Sequence, residues 1–224
     1  MIELMDVHVR LGQREVLRGV TAALGERRIG VVGANGSGKS TLARLLNGLT
    51  LPTAGSVTVL GDDTRRHAAR IRRRVGFLFT DPDAQIVMPT VAEDVAFSLR
   101  RHRLPAGEVR RRVGAVLETY GLAGHADHPA HQLSGGQKQL LALCSVLVLE
   151  PEILVMDEPT TLLDLRHSRQ VAGVLGALPM RVVVVTHDLP LLDGFDRVLV
   201  LDEGRVVADG TPESALGHYR ALMS

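Results

Sequence analysis

A glycine-rich segment that directly follows a short apolar run constrains this chain more than any other feature. Residues 29–32 (Ile-Gly-Val-Val) predict a buried strand, residues 33–41 (Gly-Ala-Asn-Gly-Ser-Gly-Lys-Ser-Thr) a loop, and the leucines from Leu42 onward a helix. Because glycine has no Cβ, backbone N–H groups of such a loop can close around an anion, and the helix points its positive dipole end at the same place. The pattern predicts a cradle for the phosphates of a nucleoside triphosphate.

The side chains of this loop support the same interpretation. The chain has only two lysines, Lys39 and Lys138, among 26 basic residues. A compact ammonium group fits a tight loop in which a planar guanidinium would not. We expect Lys39 to contact the β- and γ-phosphates and Ser40 to bind Mg²⁺. The predicted nucleotide-binding residues of the loop are Gly33, Ala34, Asn35, Gly36, Ser37, Gly38, Lys39, Ser40 and Thr41.

Two further apolar runs end in residues that can do chemistry. Residues 153–156 predict a parallel strand that is buried on both faces and ends in Asp157 and Glu158. Residues 182–185 predict a second such strand, which leads to His187. Because ligands of an open parallel sheet lie beyond the carboxyl ends of its strands, these side chains should meet the phosphate loop. We expect Asp157 to hold Mg²⁺ with the loop serine, Glu158 to deprotonate the attacking water, and His187 to stabilise the γ-phosphate.

The segment Leu-Ser-Gly-Gly-Gln at 133–137 precedes a long predicted helix. Ser134 is a typical helix N-cap, and Gly135 and Gly136 leave N–H groups accessible at the positive end of the helix, which predicts a second anion site. One bound triphosphate does not need two such sites in one chain. We therefore expect Ser134, Gly135, Gly136 and Gln137 of one copy to close over ATP bound to another, in a head-to-tail dimer with two-fold symmetry.

The remaining pattern predicts an α/β fold with a parallel-sheet core. The predicted strands are 2–9, 16–24, 56–60 and 75–79, a turn lies at 61–63, a hairpin joins 198–201 to 206–208, and helices lie within 90–120, at 137–149 and after Thr211. We predict a single domain over 1–224. Within it, 1–84 and 151–224 form an antiparallel β lobe and the nucleotide-binding core, and 85–150 form a helical subdomain.

The composition adds a few limits. With 224 residues, 45% of them hydrophobic, the chain can bury a core, and its net charge of +1 gives no electrostatic case for binding nucleic acid. No signal sequence opens the chain, and no apolar stretch of about 18 residues could span a bilayer, so we expect a cytoplasmic protein. The one cysteine, Cys144, lies in an apolar run and is expected to be a buried structural thiol.

The loop at 33–41, the Leu-Ser-Gly-Gly-Gln segment, the strand with its two carboxylates and His187 together resemble the nucleotide-binding subunit of ABC transporters. The resemblance covers essentially the whole chain and implies a P-loop NTPase of the ABC ATPase type, with ATP and Mg²⁺ as cofactors. It implies that ATP closes a dimer and that hydrolysis reopens it, which moves integral membrane subunits at the cytoplasmic face of the cell membrane. The loop at 161–164 would connect the two active sites.

Residues 79–94, Phe-Thr-Asp-Pro-Asp-Ala-Gln-Ile-Val-Met-Pro-Thr-Val-Ala-Glu-Asp, are similar to the energy-coupling-factor importers, and most similar to the ATPase of biotin transporters. Partners would then be a coupling subunit and a substrate-binding subunit in the membrane. An ATPase of a cobalt, nickel or other vitamin importer is the alternative, and the second ATPase of the dimer could be identical or a paralogue. A soluble ABC ATPase is the rival from a different class, although 41–133 contains no heptad insertion.

Several positions depart from the family pattern. Thr80 stands where the family has the glutamine that senses Mg²⁺ and the attacking water, and Gln85 is a candidate substitute. Around 9–12 the family has an aromatic residue that stacks on adenine, whereas this chain has none, which makes Arg10 a candidate for stacking. Leu162 replaces a small residue of the loop that connects the active sites.

Two basic runs and a histidine trio have simpler interpretations. The basic runs predict solvated faces, with a docking surface for a membrane partner as the alternative; they comprise Arg65, Arg66, Arg70 and Arg72 to Arg74, and Arg100, Arg101, Arg103 and Arg110 to Arg112. His125, His128 and His131 resemble a metal trio, but only Asp127 could complete a four-ligand set. A linker into Ser134 is the favoured interpretation.

Overall fold

The structure, a computed structural model, describes all residues from Met1 to Ser224. The chain forms two compact units. The first, which we call the sheet unit, comprises Met1–Val75, Glu152–Glu158 and Pro179–Ser224. The second, the helical unit, comprises Gly76–Pro151 and Pro159–Leu178.

Ten strands and seven α-helices make up the chain. The strands are β1 (Ile2–Leu11), β2 (Arg14–Leu24), β3 (Arg28–Val32), β4 (Ala54–Val59), β5 (Asp62–Asp63), β6 (Val75–Leu78), β7 (Ile153–Asp157), β8 (Arg181–Val185), β9 (Arg197–Asp202) and β10 (Arg205–Gly210). The helices are α1 (Lys39–Leu46), α2 (Thr64–Ile71), α3 (Val91–Leu99), α4 (Ala106–Thr119), α5 (Gly135–Leu147), α6 (Leu165–Ala177) and α7 (Pro212–Leu222). None of these helices combines the length and the apolar character that crossing a membrane requires.

The sheet unit contains an antiparallel sheet with the strand order β2-β1-β4-β5. Its buried side chains alternate along β1 on either side of an irregularity at Asp6 (φ +47°), with Ile2 and Leu4 before it and Val7 and Val9 after it. The turn predicted at 61–63 is displaced, because Asp62 pairs with Val59 as part of β5 and the chain reverses at Leu60 and Gly61. This sheet confirms the predicted antiparallel β lobe.

A second sheet carries the parallel strands of the sheet unit, with neighbours in the order β10-β9-β3-β8-β7. The strands β3, β8 and β7 are parallel to one another, and every residue of β3 and β7 is buried. Their apolar composition follows from this, since a strand covered on both faces has no polar side to present. Because the three strands are parallel, their carboxyl ends lie at one edge of the sheet, where the candidate site is found.

The hairpin β9–β10 and the helix α7 complete the sheet unit. Glu203 (φ +42°) and Gly204 (φ +80°) form the turn that the sequence predicts between the two strands. The hydroxyl of Thr211 accepts a hydrogen bond from the N–H of Ser214 and begins α7, with Pro212 in the first turn. The predicted hairpin and terminal helix are both confirmed.

The helical unit packs α3, α4 and α5 around an apolar core that includes Val95, Leu117, Leu141 and Cys144. The predicted capping box at Thr90 is present: its hydroxyl accepts from the N–H of Glu93, whose carboxylate accepts from the N–H of Thr90. Burial raises the pKa of the Cys144 thiol to about 12, so Cys144 is the structural thiol that the sequence predicts.

Candidate nucleotide-binding site

In the loop between β3 and α1, the backbone conformation at position 38 strongly favours glycine. Gly36 and Gly38 have φ angles of +80° and +106°, a region that residues with a Cβ rarely adopt. A Cβ on Gly38 would lie 2.7 Å from Cδ2 of Leu17 and 2.8 Å from the carbonyl oxygen of Val16. The loop is therefore held close against β2, and its glycines are a requirement of its shape.

The polar groups of this loop fit a polyphosphate. The first hydrogen bond of α1 runs from the Leu42 N–H to the Gly38 carbonyl oxygen (2.9 Å), so the N–H groups before Leu42 have no partner within the helix, and Gly38 at the N-cap supplies no capping side chain. The hydroxyl of Ser37 is buried without a hydrogen-bond partner. Nζ of Lys39 donates to the carbonyl oxygens of Gly33 (2.8 Å) and Ala34 (3.0 Å), and burial lowers its pKa. The uncapped helix end, the unpaired hydroxyl and the ammonium form a set of donors suited to an anion.

Ser40 and Asp157 lie in direct contact at the edge of the sheet. Oγ of Ser40 donates to Oδ1 of Asp157 over 2.8 Å, which brings the second residue of α1 to the last residue of β7. Burial raises the pKa of Asp157, and the Ser40 hydrogen bond opposes that shift. A hydroxyl and a carboxylate are oxygen ligands of the kind that Mg²⁺ takes together with substrate phosphates and waters.

Glu158 and His187 also contact each other. Nδ1 of His187 and Oε2 of Glu158 are 2.8 Å apart, and the His187 N–H donates to the same oxygen over 3.3 Å. Glu158 has a φ of +53°, which is unusual for a residue with a long side chain, and its N–H donates to the carbonyl oxygen of Val185 (2.8 Å). Backbone strain of this kind is concentrated at functional sites. The exit of β7 thus presents two carboxylates, one toward Ser40 and one toward the imidazole.

The helical unit contains the second predicted anion site. Oγ of Ser134 accepts from the N–H of Gln137, and the Gln137 side chain accepts from the N–H of Ser134, so the helix α5 begins with a full capping box. Ser134 and Gly135 are exposed, whereas Gly136 is buried against the ring of His167. The predicted cap is confirmed. The prediction that both glycines are accessible holds at Gly135 and is wrong at Gly136, because the ring of His167 covers it.

The loop at 161–164 leads into α6 in the same unit. Its Leu162 is 62% exposed. Asp164 caps α6 by accepting hydrogen bonds from the His167 N–H (2.9 Å) and from Nδ1 of the same ring (2.8 Å). The backbone hydrogen bond from His167 lowers the pKa of Asp164. Sequence reasoning did not anticipate His167, which contacts both this cap and the Leu-Ser-Gly-Gly-Gln segment.

Residues 79–94 are held in place by polar contacts within the helical unit. Nζ of Lys138 pairs with Oδ1 of Asp83 over 2.7 Å. Asp94, which is buried, accepts hydrogen bonds from the N–H groups of Val87 (2.8 Å) and Met88 (3.0 Å). Val87 itself is 63% exposed. The segment therefore presents an apolar side chain on a backbone that the interior of the unit fixes.

The structure does not support Gln85 and Arg10 as substitutes for the family residues that this chain lacks. Both ends of the Gln85 amide are used, since Oε1 accepts from the Phe79 N–H (3.1 Å) and Nε2 donates to the Ala142 carbonyl oxygen (3.4 Å). This bonding gives Gln85 a structural role and disfavours it as a sensor of Mg²⁺. Arg10 lines a cavity with His8, Thr53 and other residues that does not include the phosphate loop.

Arg14 and Arg18, which sequence reasoning missed, line a different cavity that does include the loop. The register of β2 against β1 shifts between Glu15 and Leu17, so a simple alternation of side chains does not predict which residues of this strand face the loop. No group of three or more His, Cys, Asp or Glu side chains is placed to hold a metal ion. The histidine trio at 125–131 does not form such a group.

Comparison with known proteins decides the family. The sequence profile described as ABC transporter matches residues 20–161, more than half of the chain, including the phosphate loop and the Leu-Ser-Gly-Gly-Gln segment. The chain belongs to this family. Its relatives in the family are transport ATP-binding proteins, so the chain is an ATP-binding ATPase of a transporter, and the resemblance predicted from the sequence is confirmed.

Three relatives show how far the similarity extends. A protein of Deinococcus radiodurans, named only by its family as an ABC transporter ATP-binding protein, is 56% identical over 224 residues, covering 100% of this chain and 99% of the relative. The biotin transport ATP-binding protein BioM of Rhizobium etli is 46% identical, covering 99% and 98% of the two chains. The energy-coupling factor transporter ATP-binding protein EcfA1 of Caldanaerobacter subterraneus is 42% identical, covering 87% and 72%.

Solved structures of the family share the fold. The structure of cbiO1 from Clostridium perfringens, part of the ABC transporter complex cbiONQ, matches with a TM-score of 0.85 at 29% identity, over 99% of this chain and 92% of that one. The dimeric ATP-binding cassette MJ0796 with ADP and Pi matches with a TM-score of 0.81 at 28% identity, over 95% and 99%. The predicted fold class, a P-loop NTPase of the ABC ATPase type with a parallel-sheet core, is confirmed.

Proposed function

We propose that this ABC ATPase energises an importer of the energy-coupling-factor type, with biotin as the favoured cargo. The observation that carries the hydrolytic part is the meeting of Ser40 with Asp157, and of Glu158 with His187, at the sheet edge where the phosphate loop begins. The importer type and the cargo rest on residues 79–94 and on the full-length similarity to the biotin transport ATPase. Residues 85–150 serve as the helical subdomain of the single domain over 1–224.

The residues of the site have distinct roles in this proposal. The backbone of 33–41, the Ser37 hydroxyl and the Lys39 ammonium bind the phosphates of ATP. Ser40 and Asp157 would hold Mg²⁺, which neutralises negative charge on the β- and γ-phosphates when it is bound. Glu158 accepts a proton from the attacking water.

His187 acts beside Glu158 in this scheme. Its hydrogen bond to the Glu158 carboxylate sets the orientation of the ring, which can then donate toward the γ-phosphate as charge develops there. The side chain of His187 is 53% exposed, whereas that of Glu158 is 13% exposed. The base is thus sheltered from solvent, and the imidazole is accessible to the substrate.

We infer that two copies complete each site. Ser134, Gly135, Gly136 and Gln137 of one protomer cover the ATP held by the phosphate loop of its partner, because α5 begins at the exposed residues Ser134 and Gly135 and a helix N-terminus binds anions. The dimeric state of the related cassette MJ0796 supports this arrangement. The partner is a second copy or a paralogous ATPase, and the dimer works at the cytoplasmic face of the membrane on a coupling subunit and a substrate-binding subunit.

The experiment that tests the hydrolytic site is Glu158→Gln. The glutamine oxygen can still accept from the His187 N–H, so the local structure is kept while the base is lost. We expect phosphate release to fall by about 10²- to 10⁴-fold with ATP affinity unchanged, and an ATP-bound dimer to accumulate in size-exclusion chromatography. Phosphate release at the wild-type rate would remove Glu158 as the base.

Two controls make this result specific. Glu152→Gln places the same substitution just before β7, where Glu152 is paired on the surface with Arg74 (2.6 Å), and should leave the rate unchanged. Lys39→Ala should lose ATP binding itself, since it removes the ammonium of the phosphate cradle. Equal losses in all three variants would point to unfolding rather than to chemistry.

The cargo requires a separate test. Purification of the tagged chain from its native membranes should recover integral membrane subunits, and biotin uptake should stop when the Glu158→Gln variant replaces the wild type. Uptake of a cobalt or nickel ion or of another vitamin in place of biotin would support the alternative importer. If no membrane subunit is recovered, the assignment of this chain to an energy-coupling-factor importer is contradicted.

A further inference from the structure

A cavity of about 280 Å³ lies beside the phosphate loop within the sheet unit. Arg14, Val16 and Arg18 of β2 form one side of it, and Gly36 and Ser37 of the loop lie on another. The hydroxyl of Ser37 is the buried group without a partner in the phosphate cradle. The cavity therefore continues from the place where the phosphates of a nucleotide would bind.

The charges around this cavity do not suit a further phosphate. Its two guanidinium groups, Arg14 and Arg18, are accompanied by three carboxylates, Glu15, Asp202 and Glu203. A phosphate would meet a net negative lining there. An uncharged nucleoside fits better, because carboxylates accept hydrogen bonds from ribose hydroxyls and from the N–H groups of a base, and a guanidinium can lie flat on the base.

The two arginines differ in what they contact. Nε of Arg18 forms an ion pair with Glu15 (3.9 Å), and Glu15 also contacts Nδ1 of His8 (3.1 Å). Arg14 is exposed and donates from Nη2 to the carbonyl oxygen of Gly36 (3.2 Å). This bond places the plane of the Arg14 guanidinium at the loop itself, with no carboxylate attached to it.

No aromatic side chain lines this cavity. The chain has no tryptophan, two tyrosines and four phenylalanines in total. Among the cavity residues, the guanidinium groups are thus the planar cations that could stack on a base.

We propose that Arg14 stacks on the nucleobase of the bound nucleotide, with Val16 as the apolar contact beside it. The inference rests on the proposed nucleotide site and adds to it the residue that binds the base. A stacked guanidinium senses the size of the π-surface and not the hydrogen-bonding edge of the base. The site should therefore bind ATP and GTP with similar affinity and both more tightly than CTP or UTP.

Equilibrium binding separates the base from the phosphates. Isothermal titration calorimetry measures the affinities of the wild type and three variants for ATP, GTP and inorganic tripolyphosphate. EDTA is present so that ATP and GTP are not hydrolysed. Arg14→Ala should weaken ATP and GTP binding by about tenfold and leave tripolyphosphate binding unchanged. Arg14→Lys keeps the charge but loses the plane, and should restore the affinity for ATP only in part. Arg10→Ala, which changes an arginine of the other cavity, is the matched control and should bind like the wild type.

Several results would contradict the stacking role of Arg14, and they can be told apart. An unchanged ATP affinity in Arg14→Ala, full recovery in Arg14→Lys, or an equal loss for tripolyphosphate would each overturn the stacking role. Loss of ATP affinity in Arg10→Ala without loss in Arg14→Ala would move the role to Arg10. A wild-type protein that binds neither ATP nor tripolyphosphate would overturn the proposed nucleotide site together with this inference.

Discussion

Replacing Asp94 with alanine should destabilise the protein by about 3 to 5 kcal/mol. Asp94 is buried and accepts three hydrogen bonds, from the N–H groups of Val87 (2.8 Å) and Met88 (3.0 Å) and from the Ser145 hydroxyl (2.9 Å). It thereby ties the segment that we assign to membrane coupling to the helix α5. This role was not predicted, since in the sequence Asp94 is only an acidic residue in the first turn of a helix.

The magnitude follows from the three donors. A hydrogen bond to a charged group contributes about 1.5 to 3 kcal/mol, and a buried donor left without a partner costs about 1 to 3 kcal/mol. We take about 1 kcal/mol for each of the N–H groups of Val87 and Met88, which are partly accessible, and about 1 to 3 kcal/mol for Ser145, which is buried with Asp94, so the total is about 3 to 5 kcal/mol. Asp94→Asn keeps an oxygen for the two N–H groups and an amide for Ser145, so it should cost only about 1 kcal/mol.

Urea unfolding followed by circular dichroism at 222 nm measures both variants, since the chain has no tryptophan for fluorescence. The account predicts that Asp94→Ala is destabilised clearly more than Asp94→Asn. The control is Asp83→Ala, at a surface position. It removes the exposed carboxylate that forms an ion pair with Lys138, and should cost less than about 1 kcal/mol. Equal destabilisation by the alanine and asparagine variants, or a loss of less than about 1 kcal/mol in Asp94→Ala, would refute the reasoning.

Three further outcomes are expected. Gly38→Ala should weaken ATP binding by more than about tenfold in titration calorimetry, because its Cβ would lie 2.7 Å from Leu17 at a φ of +106°. Cys144, whose pKa burial raises to about 12, should not react with iodoacetamide at neutral pH until urea unfolds the protein, as mass spectrometry would show. The hydrogen bond with Glu15 raises the pKa of His8 above its ordinary value of 6.5. The protonated His8 side chain therefore stabilises the folded protein below that pH, and this stabilisation is lost as the pH rises through the pKa of His8 in the folded state. The difference in unfolding free energy between wild type and His8→Ala should accordingly shrink from acidic to alkaline pH.

The parts of the fold that the sequence predicted are those with a strong local cause. The phosphate loop is predictable because Gly36 and Gly38 must have positive φ between a strand and a helix. The parallel strands are predictable because burial on both faces leaves uninterrupted apolar runs. Capping boxes at Thr90 and Ser134 are predictable because a hydroxyl and a long polar side chain three residues later suffice.

Two helices were missed because they bury little. The helix α2 buries only Thr64 and Ile71 among arginines and alanines, so it has no apolar period. The helix α6 buries only Val171 and Leu175, and it leaves Leu165 exposed. In both cases an aspartate at the N-cap was the remaining local signal.

The positions of individual site residues were predicted where the residue lies at the end of a parallel strand, as Asp157 does in β7, or just after one, as His187 does after β8. It was missed where a contact depends on the register of two distant segments. Arg14 reaches the carbonyl oxygen of Gly36 across 22 residues of sequence, and only the packing of β2 against the loop makes that contact possible. No short pattern around Arg14 distinguishes it from Arg10.

The central claim, that each ATP is hydrolysed between two protomers, is tested most directly by mixing two inactive variants. Lys39→Ala disables the phosphate loop, and Ser134→Asp keeps an N-cap residue for α5 but places a negative charge at its anion site. Neither variant alone should release phosphate from ATP. An equimolar mixture should recover about one quarter of the wild-type rate, since half of the dimers are mixed and each has one intact composite site. A mixture that stays inactive, while both variants remain folded and form mixed dimers with ATP, would contradict the account.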